Sequence, residues 1–75
     1  MRSRPILKKL GAEIRIRRLA RDLTQQELAE AAGVNLNTIQ RLESAKIESR
    51  ILTLFDVASG LRMPLAELIA GAERR

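Results

Sequence analysis

The stretch that most constrains this chain runs from Thr24 to Ser44, where two helix starts are separated by a single glycine. Thr24-Gln25-Gln26-Glu27 has the pattern of a capping box. Thr at the N-cap and Glu three residues on each satisfy a backbone N–H that the helix leaves free. Leu28, Ala29, Ala31 and Ala32 carry that helix forward, and Gly33 is placed to close it in the left-handed conformation. Asn35 is a good N-cap for the next helix. Ile39 and Leu42 turn inward there, and the helix ends near Ser44. Two short capped helices therefore meet through Ala32-Gly33-Val34. Ala29 is small where they must cross, Gly33 supplies a positive φ without a Cβ penalty, and Val34, Ile39 and Leu42 fill the wedge.

The flanking sequence predicts three more helices. The first spans about Ile6 to Arg21, with Pro5 suited to a first turn and Leu7, Leu10, Ile14 and Leu19 marking one face. Gly11 is its weak point, and Arg21-Asp22-Leu23 is the turn that follows. The fourth begins near Ser49 or Arg50 and carries Ile51, Leu54, Phe55, Val57, Ala58 and Leu61, ending about Gly60. Pro64 opens the fifth, with Leu65, Leu68 and Ile69 apolar and Gly71 as its end. β-branched residues are sparse and no stretch alternates with period two, so no strands are expected. The expectation is one all-α, five-helix domain over residues 1–75, with 1–5 and 72–75 flexible. At 75 residues two cores would not fit, and one core buries only ~60% of the unfolded surface.

Composition narrows the function. There is no Cys and no His, which removes disulfides, thiolate metal sites and the commonest general base. There is no Gly-rich phosphate loop, and the carboxylates are scattered. No enzyme activity, metal or cofactor is expected. No apolar run approaches the ~18 residues of a membrane span, and the start lacks a signal-peptide core, so a cytoplasmic, membrane-free protein is expected. The net charge is +5, and it is uneven. Residues 1–21 hold eight basic residues against Glu13 alone, while the remainder sums to −2. Such a block suits a polyanion, although a solvated helix face would read the same way.

The paired helices have the arrangement of a helix-turn-helix, whose second helix enters the major groove of duplex DNA. With Ile39 and Leu42 inward, the outer face comprises Asn35, Leu36, Asn37, Gln40, Arg41 and Ser44, without an acid. Asn and Gln pair bidentately with adenine and Arg with guanine, and Leu36 suits a thymine methyl or else a protein partner. Candidates for base readout are Leu36, Asn37, Gln40 and Arg41. Candidates for phosphate contact are Gln25, Asn35, Thr38, Ser44, Lys46 and Arg50. The Arg15-Arg17-Arg21 cluster reads as general electrostatic attraction, and Arg2 and Arg4 as a disordered arm.

The chain resembles the Cro/C1-type, or XRE, family of regulators. The resemblance rests on Ile14 and Arg18, Leu23-Thr24-Gln25-Gln26-Glu27-Leu28-Ala29, Ala32-Gly33-Val34, Ile39-Gln40-Arg41-Leu42-Glu43, Thr53-Leu54, Val57-Ala58 and Pro64-Leu65-Ala66-Glu67-Leu68. It implies a lambda-repressor-like fold and a sequence-specific transcriptional regulator bound as a dimer to a palindromic double-stranded operator. A repressor or restriction-modification controller is the leading subtype. The alternative is an antitoxin that also binds a toxin through its last two helices. By resemblance, Arg18 and Glu43 form a structural ion pair. The chain departs from the family at Ala45 and Arg62, where glycine is usual, and at Ser49, where proline is usual. One short helix reads too few base pairs to be specific among ~10⁶–10⁹ competing sites, which argues independently for a dimer. Arg62, Met63, Leu65 and Ile69 are the candidate interface, unless they merely complete the core.

Overall fold

The computed structural model describes residues 4–75 and contains five helices: α1 (Pro5–Ala20), α2 (Gln25–Ala32), α3 (Leu36–Glu43), α4 (Ile51–Gly60) and α5 (Leu65–Glu73). No strand occurs among the described residues, so the expected all-α class holds. Each helix contributes one large, fully buried side chain to the centre: Ile14, Leu28, Ile39, Val57 and Leu68. Full burial of such a side chain is worth about 1.5–3 kcal/mol. α1 packs on α5 and α3, while α2 packs on α3 and α4. α3 is thus held from two sides and keeps its remaining face outward.

The first four helices close in the same way. Each is followed by a residue at positive φ: Asp22 (57°), Gly33 (72°), Ala45 (59°) and Arg62 (58°). At each closure the next N–H reaches back to the last turn, Leu23 to Arg18 O, Val34 to Ala29 O, Lys46 to Arg41 O and Met63 to Ala58 O, at 2.9–3.1 Å. This is the Schellman pattern, which caps otherwise free carbonyls and folds the following residue onto the helix end. Leu23, Val34 and Met63, the residues so placed, all pack on the core. Only one of the four closures uses glycine. The other three accept a Cβ in the left-handed region at roughly 1 kcal/mol or more each.

Several expectations need correction. α5 does not stop at Gly71: it runs to Glu73, Ala72 is buried, and Arg75 Nε donates to Glu13 Oε1 at 2.8 Å. Gly71 serves close approach instead, since a Cβ there would collide with the Glu13 carboxylate. At the other end, Pro5 is helical, Arg4 is its extended N-cap, and Arg4 pairs with Glu48 at 3.2 Å. The arm role suggested for Arg2 lies outside the described residues. Leu19, Ile51 and Phe55 are more than half exposed, because the core is filled from the other faces of α1 and α4. No described helix is long and apolar enough to cross a membrane.

Candidate nucleic-acid interface

α3 is built to a fixed position at both ends. At its start Asn35 Oδ1 accepts from Thr38 N and from Thr38 Oγ1, both at 3.0 Å. α2 begins with the full reciprocal capping box, Glu27 N to Thr24 Oγ1 at 3.0 Å and Thr24 N to Glu27 Oε1 at 2.9 Å. The turn between the two helices is closed by Gly33.

The C-terminal end of α3 is tied to the rest of the molecule through Glu43. Arg18 Nε donates to Glu43 Oε2 at 2.7 Å, and its Nη2 donates to Oε1 at 3.1 Å. The third arm, Nη1, donates to the carbonyl of Leu23 at 2.7 Å. Gln25 Nε2 also donates to Glu43 Oε1, at 3.1 Å. The Arg18 and Glu43 side chains are 9% and 5% exposed. A planar guanidinium meeting a carboxylate at two points fixes angle as well as distance. One carboxylate therefore joins α1, the α1–α2 turn, the start of α2 and the end of α3. Gly11 brings α1 against the same end of α3. An added Cβ there would lie 2.5 Å from Leu42 O and 2.9 Å from Glu43 O.

With both ends held, α3 presents Asn37, Gln40 and Arg41 to solvent, while Leu36 and Thr38 are half-buried. Among the described residues no ion pair involves Arg41, Lys46 or Arg50. A groove flanks α3 on each side. One, of about 480 Å³, is lined by Arg15, Arg18, Gln25, Gln40, Glu43 and Ser44. The other, of about 460 Å³, includes Asn35, Thr38, Ser49, Arg50 and Thr53. Gln25, Asn35, Thr38, Ser44 and Arg50 thus surround α3 on its two flanks, and Lys46 is exposed on the loop beyond it.

The basic α1 does not act as one cluster. Arg17 turns away: its Nε donates to Glu13 Oε2 at 2.7 Å, and its Nη1 donates to Glu67 Oε2 at 3.3 Å. Arg21 and Arg62 line a separate groove beside α5. Glu13, which sequence reading missed as a site, is buried at the α1–α5 contact. The Arg17 hydrogen bond, helped by Arg75, holds its carboxyl below the usual range, although burial pushes the other way. The only sequence signal for it was a lone acid on an otherwise basic helix.

Of the candidate interface residues, Arg62 is exposed. Met63, Leu65 and Ile69 are half-buried against the chain's own core. Met63 is there because the α4 closure folds it in. The exposed apolar surface of this region is instead Ile51, Leu52 and Phe55 on α4, at 61%, 70% and 56% exposure.

Two short helices joined by a glycine turn, the second pinned at both ends and polar outward, define a helix-turn-helix domain. The helix-turn-helix family model matches residues 14–68. The chain belongs to that family, as its Cro/C1-type residue pattern implied. It is 34% identical over 63 residues to the cryptic phage CTXphi transcriptional repressor RstR of Vibrio cholerae, an alignment covering 84% of this chain and 57% of that protein. The chain spans less than two thirds of the length of the curated relatives it matches. Among solved structures it is similar to the clp gene regulator ClgR from Corynebacterium glutamicum (TM-score 0.85, 29% identity), covering 92% of this chain and 73% of that one. It is also similar to the restriction-modification controller protein C.AhdI from Aeromonas hydrophila (TM-score 0.80, 26% identity), with 83% and 94% covered.

Proposed function

We propose that this chain is a transcriptional regulator that binds duplex DNA as a dimer, laying α3 in the major groove of each half of a palindromic operator. The observation that carries this reading is the outer face of α3. Asn37, Gln40 and Arg41 are exposed on it, it holds no acid, and the helix beneath is fixed through Arg18 and Glu43. A rigid face of amide and guanidinium donors has the chemistry needed to read base edges. Leu36, Asn37, Gln40 and Arg41 are assigned to bases. Gln25, Asn35, Thr38, Ser44 and Arg50 are assigned to phosphates on the two flanks of α3, and Lys46 to one beside the loop beyond it.

The dimer face is assigned to α4. Met63, Leu65 and Ile69 spend much of their surface inside the protomer, whereas Ile51, Leu52 and Phe55 leave a contiguous apolar strip uncovered. Arg62 is exposed in the groove beside α5, with Arg17, Arg21 and Glu67. Apolar strips of this kind mark interaction sites, and a twofold axis lets one strip serve both partners.

Selection of bound duplexes from a random pool tests the reading. The expected product is a palindrome with half-site centres ~34 Å apart. Phe55→Glu should leave the protein monomeric by light scattering and reduce selection to half-sites. Recovery of no preferred sequence by the wild-type protein would overturn the proposal.

A further inference from the structure

We infer that Arg15 holds a DNA backbone phosphate on the flank of α3, in the groove it shares with Gln25, Gln40 and Ser44. The inference rests on the DNA-binding reading above and names a residue which that reading does not use. The three basic side chains of the second half of α1, and Arg21 just after it, have different fates. Arg17 is bonded to Glu13 and Glu67. Arg18 is buried on Glu43. Arg21 lines the groove beside Arg62 and Met63. Arg15 is exposed, enters no ion pair among the described residues, and lines the groove on the flank of α3.

The charge of that groove singles out Arg15. Arg18 and Glu43 neutralise each other within it, so Arg15 supplies its net positive charge. In the same groove the Gln25 amide on α2 offers a neutral donor, while the Ser44 hydroxyl just after α3 donates to the Arg41 carbonyl at 3.3 Å and Gln40 borders the outer face. A guanidinium and an amide donor on an open concavity without a free carboxylate match a phosphodiester, whose oxygens only accept. Their place on the flank of α3, off the outer face that carries Asn37 and Arg41, puts them beside the backbone rather than over a base edge. Gln25 is already oriented here by its bond to Glu43, so one amide hydrogen remains for the phosphate. The predicted contact therefore couples α1 to DNA directly, where sequence reading assigned it only diffuse attraction.

The test measures affinity for the selected operator across a salt series. Arg15→Ala should weaken binding about tenfold, as loss of a charge-assisted hydrogen bond does, with base preference unchanged. The slope of log K on log salt should fall in magnitude by about 0.9, the value for one phosphate. Arg74→Ala removes an equal charge just after α5 and should change affinity far less. Methylphosphonate substitution, one position at a time, should find one phosphate whose neutralisation costs the wild-type protein affinity but costs Arg15→Ala little more. Equal effects of Arg15→Ala and Arg74→Ala, or additive effects at every phosphate, would overturn the inference. Failure of the wild-type protein to select any duplex would instead remove the regulator reading on which it rests. An unchanged circular-dichroism melt for Arg15→Ala, expected for an exposed side chain, separates lost contact from lost fold.

Discussion

Replacing Gly11 by alanine sets two effects of opposite sign against each other, and the structure decides between them. Helix propensity alone favours alanine in a helix interior by about 1 kcal/mol. Gly11, however, faces the end of α3, and an added Cβ would lie 2.5 Å from the Leu42 carbonyl oxygen and 2.9 Å from that of Glu43. Ordinary contact begins near 3.4 Å, so α1 and α3 must separate by up to about 0.9 Å. Both obstacles are backbone, so no side-chain rotation relieves them. Overpacking of a tight contact costs about 1–3 kcal/mol, and a backbone-to-backbone clash belongs at the upper end. Net destabilisation of about 2 kcal/mol is expected. At about 4–8 °C per kcal/mol for a chain of this size, the melting temperature should drop by roughly 8–16 °C. Thermal unfolding followed by circular dichroism measures it. A melting temperature equal to or above that of the wild type would show that propensity wins and that the α1–α3 contact is looser than described.

The remaining predictions concern the caps and the buried charges. Arg18→Ala should cost about 3–5 kcal/mol, because Glu43 is left buried without its main partner. A denaturant midpoint unchanged by this substitution would contradict the pairing. Ala45→Gly should stabilise by about 0.5–1 kcal/mol, the relief of a left-handed Cβ less the extra freedom glycine gives the unfolded chain. A loss of stability in chemical denaturation would mean that the closure is not strained. Acid should destabilise the protein through Glu13, whose carboxyl is held below its ordinary value in the folded state by Arg17 and Arg75. Its contribution is complete above the unfolded carboxylate range and is lost as pH falls through the depressed folded value. The melting temperature should hold from neutrality to about pH 5 and then decline, and Glu13→Gln should show a shallower decline. Parallel curves for the two proteins would remove Glu13 as the group responsible.

Much of the fold was legible because the helix starts are chemically explicit. Thr24, Glu27 and Asn35 make the bonds that their types and spacing call for. The helix ends were less legible. Glycine announces a left-handed closure, and only Gly33 does so here. At Asp22, Ala45 and Arg62 the same closure is imposed by the packing of Leu23, Ile47 and Met63 on the core, which local propensity does not reveal. Gly71 misled in the opposite direction: its small size serves the seat of Glu13 and does not end α5. The apolar pattern of α4 also marked Ile51 and Phe55 as apolar without separating core from surface. That distinction depends on which side α2 and α5 occupy. Arg18 and Glu43, 25 residues apart, are linked only in three dimensions, so resemblance could suggest their pairing and spacing could not.

The exposed polar face of α3 gains its meaning from where its supports are placed. Asn35 caps its start with two bonds to a single nearby residue, an arrangement that secures the first turn but not the direction of the helix. Direction is set at the other end, where the backbone contact of Gly11, the two-point bond from Arg18 and the closure at Ala45 fall within the last turn and the residues that follow. Two of these three come from α1, the helix that also carries Arg15 on the flank of the same groove. α1 therefore both aims the reading helix and, on the inference above, grips the backbone beside it. A change in the α1–α3 angle should then alter base reading and phosphate contact together. Substitutions at Asn37 or Arg41, which disturb neither support, should alter base preference alone.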